Sequence, residues 1–264
     1  MLKLEHITKT FNAGTINEKV ALSDLSLHIK PGEFVTVIGG NGAGKSTMLN
    51  AVAGVWKVDK GSVIIDGVDV TKLPEYKRAG LIGRVFQDPM MGTAPQMQLE
   101  ENLALAKRRG EKRTLHWQIT KEEREEYYEK LKALNLGLEN RMTTKIGTFS
   151  GGQRQAITLF MATLKTPKIL LLDEHTAALD PATAAKTLEL TDKLVEENHL
   201  TTLMITHNMT DAIRHGNRLI MMDQGKIILD ISGEEKQKIT KQELLEKFAA
   251  ISGNQEDNDA LLLS

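Results

Sequence analysis

A glycine-rich run of eight residues constrains this chain more than any other feature of its sequence. The run comprises Gly39, Gly40, Asn41, Gly42, Ala43, Gly44, Lys45 and Ser46. It fits the spacing of a phosphate-binding loop at every position, between an apolar segment at 33–38 and a helical pattern over 46–55. Glycine lets the backbone wrap so that successive N–H groups point at phosphate oxygens, and the positive end of the following helix faces the same charge.

This loop predicts a nucleotide site that takes ATP and Mg²⁺. We expect Lys45 to bridge the β- and γ-phosphates and the Ser46 hydroxyl to coordinate Mg²⁺. Thr47 follows directly, and its amide and hydroxyl are placed to contact the α-phosphate.

A second apolar segment, residues 168–172, ends in two adjacent acids, Asp173 and Glu174. A buried strand places its last side chains at the carboxyl edge of a sheet, where ligands of open α/β folds bind. We expect Asp173 to hold Mg²⁺ through water and Glu174 to act as the general base on the attacking water. Two acids also occur at plain solvated strand ends, but the phosphate-binding loop elsewhere in the chain favours the functional interpretation.

A third motif, Ser150-Gly151-Gly152-Gln153, follows Phe149 at the predicted start of a helix. It supplies a hydroxyl, backbone amides and a helix N-terminus, which together form a second anion-binding device. One γ-phosphate is not easily wrapped by two such devices of a single fold. The motif therefore predicts a head-to-tail dimer in which each copy covers the ATP bound to the other.

Together these motifs resemble the ATP-binding subunits of ABC transporters, and the resemblance extends over roughly residues 2–231. The family's signature usually begins with leucine, where this chain has Phe149. The resemblance implies that Gln87 senses Mg²⁺ and the γ-phosphate and couples to a membrane partner. It also implies that Asp180 lies in a loop crossing the dimer interface and that His207 contacts the γ-phosphate.

The resemblance further assigns the aromatic residue Phe11 to stacking on adenine, where tyrosine is commoner. Packing in the core is the competing interpretation for Phe11. Two positions depart from the family pattern: Gly40 replaces a frequent proline, and His175 stands where proline is usual. We expect Gly40 to make the loop more permissive and His175 to face solvent rather than to tune Glu174.

Composition excludes several kinds of site and partner. The chain has no cysteine, which rules out disulfides and thiolate chemistry and fits a reducing cytoplasm. We read no secretory signal at the start and no apolar run long enough to span a membrane. The 34 basic and 35 acidic residues balance, and we expect no nucleic-acid partner. A basic cluster of Lys107, Arg108, Arg109, Lys112 and Arg113 is interpreted as a solvated helix end and loop, with a nucleic-acid patch as the alternative.

Periodicity, the phosphate-binding loop and the family resemblance together imply an α/β fold: a P-loop NTPase core with a mostly parallel sheet, an antiparallel β subdomain and an inserted α-helical subdomain. We assign residues 1–88 and 166–232 to the core with its β subdomain, and 89–165 to the helical subdomain. Residues 233–264 form a C-terminal extension with one helix, over 242–251, and a loose polar stretch at 253–259. In the first strand, Leu2, Leu4 and His6 are expected to share one face.

A lone nucleotide-binding unit on its own chain resembles bacterial ABC importers. The segments 85–93 and 173–181 further resemble an importer subgroup linked to aromatic amino acid uptake, of tryptophan or tyrosine. This resemblance implies separate transmembrane permease subunits, an extracytoplasmic substrate-binding protein and a location on the inner face of the cell membrane. The alternative is a soluble ABC-type mechanical ATPase that acts on a protein or nucleic acid without transport.

Overall fold

The computed structural model describes residues 1–111 and 119–252, with side chains described as far as residue 250. The strands are β1 (Leu2–Phe11), β2 (Lys19–Ile29), β3 (Phe34–Ile38), β4 (Lys60–Ile65), β5 (Val68–Asp69), β6 (Ile82–Val85), β7 (Ile169–Asp173), β8 (Thr202–Ile205), β9 (Arg218–Asp223) and β10 (Lys226–Ser232). The helices are α1 (Lys45–Ala53), α2 (Glu75–Arg78), α3 (Leu99–Lys107), α4 (Lys121–Lys132), α5 (Gly151–Leu164), α6 (Pro181–Glu197), α7 (Met209–Arg214), α8 (Gly233–Lys238) and α9 (Lys241–Ser252).

The central sheet has six strands in the order β10-β9-β3-β8-β7-β6. Strands β9, β3, β8, β7 and β6 run parallel, and only the edge strand β10 is antiparallel to its neighbour. The inner strands β3, β7 and β8 are buried along almost their whole length, because α1 and a second sheet cover one face of the central sheet and helices cover the other. The predicted fold class is confirmed.

A second sheet, ordered β2-β1-β4-β5, is antiparallel and packs its apolar face on the core. The pair Asp66-Gly67 in the sequence predicts a hairpin turn, and the structure has one there: both residues adopt positive φ, as a tight two-residue turn requires. The expected face of β1 is wrong at one residue. A bulge between Leu4 and Ile7 turns His6 outward, with φ of 51°, and brings Ile7 into the core instead.

Helices α3, α4 and α5 lie between β6 and β7 in the chain and share a separate apolar cluster that includes Leu103, Tyr127, Leu131 and Phe149. The sequence pattern predicts helices over 98–108, 121–134 and 153–164, and the observed bounds agree closely with these. Helix α4 begins at a capping box in which the Thr120 side chain accepts a hydrogen bond from the Glu123 amide. Within the two described ranges, no helix combines the length and apolar character needed to cross a bilayer.

The C-terminal extension contains two helices where the sequence predicted one. Helix α8 precedes the expected α9, and it has no apolar periodicity that could have revealed it. A contact between residues far apart in the sequence positions α8 instead. Lys236 of α8 is buried, and its Nζ donates to the carbonyl of Gly216, just after α7. The predicted loose stretch at 253–259 lies outside the described residues.

Candidate functional site

The phosphate-binding loop joins the end of β3 to the start of α1. Gly39, Gly42 and Gly44 have φ of 149°, 82° and 99°, a region that side chains rarely tolerate. A Cβ on Gly39 would lie 2.2 Å from the backbone oxygen of Met222, so this position also needs glycine for space. Gly40 is different: its φ is not positive, and a Cβ there would meet no atom within 4 Å.

Lys45 occupies the centre of the loop and is buried. Its Nζ donates to the backbone carbonyls of Gly39 at 2.7 Å and Gly40 at 3.0 Å. Burial lowers the pKa of Lys45, while the nearby carboxylates of Glu174 and Asp173 oppose that shift. The fold thus holds an ammonium group inside a glycine loop and close to two acids.

One pocket brings most of the phosphate-binding loop together with Phe11 and Glu174. It is lined by Phe11, Lys19, Ala21, Asn41, Gly42, Ala43, Gly44, Lys45, Ser46, Thr47 and Glu174. The Phe11 ring is half-buried rather than enclosed in the core, and it meets the edge of Trp56 at a centroid distance of 5.4 Å. Lys19 also lines this pocket, although the sequence had not indicated it.

Asp173 and Glu174 lie at the end of β7, beside the end of β8. The Glu174 amide donates to the carbonyl of Ile205 at 3.0 Å, which ties this turn to β8. Glu174 has φ of 45°, a left-handed conformation that costs a residue with a side chain about 1–2 kcal/mol. His207 follows β8, and its Nδ1 lies 3.7 Å from Glu174 Oε2. The structure therefore brings the predicted general base and the predicted histidine together.

Arg84 on β6 is a residue of this site that sequence reasoning missed. Its Nη2 lies 3.8 Å from Asp173 Oδ2 and donates to Asn50 Oδ1 of α1 at 2.7 Å. Its guanidinium also lies 4.4 Å from the ring centroid of Phe86. Burial raises the pKa of the Asp173 carboxyl, Arg84 opposes that rise, and the adjacent Glu174 adds to it. An arginine inside an otherwise apolar strand was the signal available in the sequence.

The residues predicted to hold a metal offer a hydroxyl, an amide and a carboxylate, all of them hard oxygen donors. Ser46 lies exposed in the first turn of α1, Gln87 is exposed two residues beyond β6, and Asp173 ends β7. In the described part of the chain, no cluster of three or more His, Cys, Asp or Glu residues could hold a metal alone. Mg²⁺ commonly takes only one or two protein ligands beside substrate phosphates. The half-buried carboxyl of Asp173, next to Glu174, fits such a cation.

The Ser-Gly-Gly-Gln motif begins α5. Ser150 is the N-cap: its Oγ accepts from the Gln153 amide at 3.3 Å, and Gln153 Oε1 accepts from the Ser150 amide at 3.2 Å. A Cβ on Gly152 would lie 2.3 Å from Cγ2 of Thr183 in the first turn of α6. Asp180 caps α6 by accepting from the Thr183 amide at 3.1 Å. The N-termini of two helices thus meet here.

The structure does not bring this motif to the phosphate-binding loop of the same chain. Among the described residues that line the loop's pocket, none belongs to the set Ser150, Gly151, Gly152 and Gln153. Gln87, Asp180 and His207 do not line that pocket either. His207 and Leu179 line a neighbouring cleft between α6 and α7.

The expectation that His175 faces solvent is wrong. Its side chain is buried, with the residue only 2 % exposed, and Nε2 lies 3.0 Å from Oγ1 of Thr191 on α6. The turn after β7 directs this ring under the helix rather than outward. Burial, helped by nearby His215, lowers the pKa of His175 to about 4, so the ring is neutral near pH 7.

The described part of the basic cluster is paired rather than free. Lys107 Nζ donates to Glu126, and Arg108 Nη2 lies 2.9 Å from Glu123 Oε2. Arg109 Nη2 donates to two backbone carbonyls, of Ala162 and Lys165. Contacts from all three of these residues therefore hold the predicted solvated helix end against α4 and the C-terminal end of α5. Lys112 and Arg113 lie outside the described residues.

Comparison with known proteins identifies relatives that all belong to one family. A family model described as ABC transporter matches residues 22–177. The chain is 43 % identical over 248 residues to the tyrosine transport ATP-binding protein of Clostridioides difficile (strain R20291), covering 94 % of this chain and 98 % of that one. It is 35 % identical over 231 residues to the methionine import ATP-binding protein MetN of Sodalis glossinidius (strain morsitans), covering 86 % of this chain and 64 % of that protein.

A solved structure has the same fold. The ATP-binding cassette MJ0796, in a dimeric post-hydrolysis state bound to ADP and Pi, superposes with a TM-score of 0.74 at 33 % identity, covering 88 % of this chain and 98 % of that one. The family match, the relatives and the site geometry agree. The chain therefore belongs to the ABC transporter family, as a subunit that binds and hydrolyses ATP.

Proposed function

We propose that this chain powers an ABC importer by closing and opening as a head-to-tail dimer around two ATP molecules. One observation carries the proposal: the chain has two anion-binding devices, and they do not line one pocket. The Lys45 loop of one copy would hold an ATP that Ser150 of the other copy covers. The γ-phosphate then joins the two subunits, and its removal separates them.

In this proposal, different groups of site residues have different roles. The loop residues Gly39, Gly40, Asn41, Gly42, Ala43, Gly44, Lys45, Ser46 and Thr47 bind the phosphates, and Phe11 stacks on the base. The motif Ser150, Gly151, Gly152 and Gln153, together with Asp180, acts across the dimer interface. Glu174 activates water as the general base, His207 contacts the γ-phosphate, and Lys45 stabilises the charge that develops on it.

Mg²⁺ belongs to this proposal as the ion accompanying ATP. Ser46, Gln87 and Asp173 would hold it, with the phosphates completing the coordination. When bound, the ion neutralises phosphate charge during transfer. Gln87 lies two residues beyond β6, the strand that carries Arg84 and pairs with β7, and precedes the inserted helices in the chain.

A small number of contacts is enough to drive closure. Taking an open-to-closed ratio from 99:1 to 1:99 requires roughly 5.5 kcal/mol of differential binding. Charge-assisted hydrogen bonds contribute about 1.5–3 kcal/mol each. A few bonds from Ser150 and the amides of Gly151 and Gly152 to the γ-phosphate therefore supply a difference of the required size.

The relatives support the transport partners that we propose. We assign the chain to the inner face of the cell membrane, bound to separate permease subunits and working with an extracytoplasmic substrate-binding protein. An aromatic amino acid such as tyrosine is the proposed cargo, on the strength of the relative named for tyrosine transport. Residues 1–88 with 166–232 serve as the catalytic core, 89–165 as the helical subdomain and 233–264 as the extension. The relatives favour transport over a soluble mechanical ATPase.

The dimer is tested with Glu174→Gln, which removes the base but keeps a side chain of the same shape. We expect this variant to bind ATP, to lose hydrolysis and to elute as a dimer with ATP and as a monomer without it. Light scattering on a sizing column measures the mass. Glu174→Gln combined with Lys45→Met is the matched control and should remain monomeric. A Glu174→Gln protein that binds ATP and stays monomeric would contradict the proposal.

The importer assignment needs a separate experiment in membranes. The tagged chain, purified from membranes of its own source, should carry a multi-span permease in stoichiometric amount. Deleting the gene for this chain should abolish uptake of radiolabelled tyrosine, and a plasmid copy should restore it where a Lys45→Met copy does not. If the tagged chain is purified without any membrane partner, and deletion of its gene leaves tyrosine uptake unchanged, the soluble ATPase is favoured.

A further inference from the structure

The short helix α7 begins two residues after His207 and needs external support. Its six residues are too few for a helix that is stable alone. The Asn208 side chain caps it by accepting from the Asp211 amide at 3.1 Å, and Thr36 Oγ1 donates to the carbonyl of Ala212 at 2.9 Å. The position of His207 consequently depends on what holds α7.

Lys236 of α8 binds the backbone at the C-terminal end of α7. The residue is only 3 % exposed, and its Nζ donates to the carbonyl of Ile213 at 3.1 Å and to that of Gly216 at 2.8 Å. A third bond goes to the carbonyl of His215. The last carbonyls of a helix lack partners within it and carry partial negative charge. A buried ammonium group at this point therefore fixes the C-terminal end of α7.

The apolar contacts of the extension act on the same helix. Met209 and Ala212 of α7 share one buried cluster with Ile239, Leu244 and Phe248 of the extension. Across the helix, Nδ1 of His215 lies 2.7 Å from Asp192 Oδ2 on α6. Helix α7 is thus held between the extension and α6, with the extension providing both its apolar cover and its terminal charge.

We propose that the C-terminal extension, residues 233–252, positions His207 for ATP hydrolysis, with Lys236 as the positioning residue. The inference rests on the proposed role of His207 at the γ-phosphate. Lys236 touches α7 and the turn after it, and it acts on the reaction only by keeping His207 beside Glu174. Lys236 and the apolar residues of the extension thereby support the site through α7, even though they lie outside the segment that matches the family model.

The test is a double-mutant cycle between Lys236→Met and His207→Ala. We expect Lys236→Met to lower kcat about tenfold while the Kd for ATP stays within about twofold, because the binding loop is untouched. In the His207→Ala background, Lys236→Met should change the residual rate by less than about twofold. Lys238→Met, on the same helix but exposed, is the matched control and should leave kcat unchanged. Release of radiolabelled phosphate measures these low rates.

The outcomes separate this inference from the proposed function. If His207→Ala alone leaves kcat unchanged, the role proposed for His207 fails. If His207→Ala lowers kcat but Lys236→Met does not, or lowers it equally in both backgrounds, only the positioning inference is overturned. Should Lys236→Met fail to fold, Leu244→Ala decides through the same cycle: a drop in kcat that vanishes without His207 supports the inference, and any other result overturns it.

Discussion

Nδ1 of His207 lies 3.7 Å from Oε2 of Glu174, although the two residues are 33 positions apart in the chain. Parallel pairing of β7 with β8 produces this proximity, because Asp173 stands opposite Ile205 and both strands end at the same edge. This proximity is what the proposed function requires, in which Glu174 activates water and His207 contacts the γ-phosphate. Because His207 lies two residues before α7, the elements that hold α7 also influence the distance between His207 and Glu174.

Replacing Arg84 with methionine should destabilise the fold. The substitution removes the guanidinium from its contacts with Asp173 and Asn50 and leaves a half-buried carboxyl with fewer positive neighbours. We expect the free energy of unfolding in urea to fall by about 1–3 kcal/mol. Arg214→Met, at an exposed position, is the control and should change it little. Equal stability of Arg84→Met and the parent would show that the contact with Asp173 contributes nothing.

His175 should make the protein sensitive to acid. Its pKa falls from 6.5 to about 4 on folding, so the unfolded chain takes up a proton first as the pH drops. Stability is therefore lost as the pH falls from about 6.5 towards 4, by about 2 kcal/mol between roughly neutral pH and about pH 5.

The free energy of unfolding in urea is measured for the parent and for His175→Gln, at roughly neutral pH and at about pH 5. Glutamine keeps a polar group near Thr191 without titrating, so the variant should lose this part of the acid dependence. His28→Gln, at an exposed strand position, should behave like the parent. A parallel pH dependence of the parent and His175→Gln would refute the assignment of this effect to His175.

Gly152→Ala should destabilise the junction of α5 and α6, even though alanine favours helices over glycine. The added Cβ would lie 2.3 Å from Thr183 Cγ2, and relieving such overpacking costs about 1–3 kcal/mol. Thr183→Ser removes that methyl group and should restore most of the lost stability in the double variant. Urea unfolding of both single variants and the double variant measures this. If Gly152→Ala is as stable as the parent, the close approach is not a constraint.

The sequence predicted the fold well where the signals are local. Apolar strands before the Lys45 loop and before Asp173, and capping residues at helix starts, indicate elements without knowledge of the rest of the chain. The same holds for the hairpin turn at Asp66 and Gly67, because only residues tolerant of positive φ suit it. Motif spacing then predicted that these elements contribute to a nucleotide site.

What the sequence could not predict depends on distant partners. The bulge at His6 is set by pairing with β2, the burial of His175 by Thr191 on α6, and the position of α8 by carbonyls near α7. Arg84 is the instructive case, since a charge within an apolar strand was visible. Its partner Asp173 becomes its neighbour only once β6 and β7 pair.

The most direct test of the shared site is to mix two inactive variants, Lys45→Met and Ser150→Asp. Aspartate keeps the N-cap of α5 but repels a phosphate. In a mixed dimer, one site combines an intact loop with an intact motif, while the other site carries both defects. We expect the mixture to regain ATPase activity, up to roughly a quarter of the parent's, since half the dimers are mixed and each has one intact site. Activity that stays at the mean of the two variants alone would contradict the claim that ATP is held between two copies of this chain.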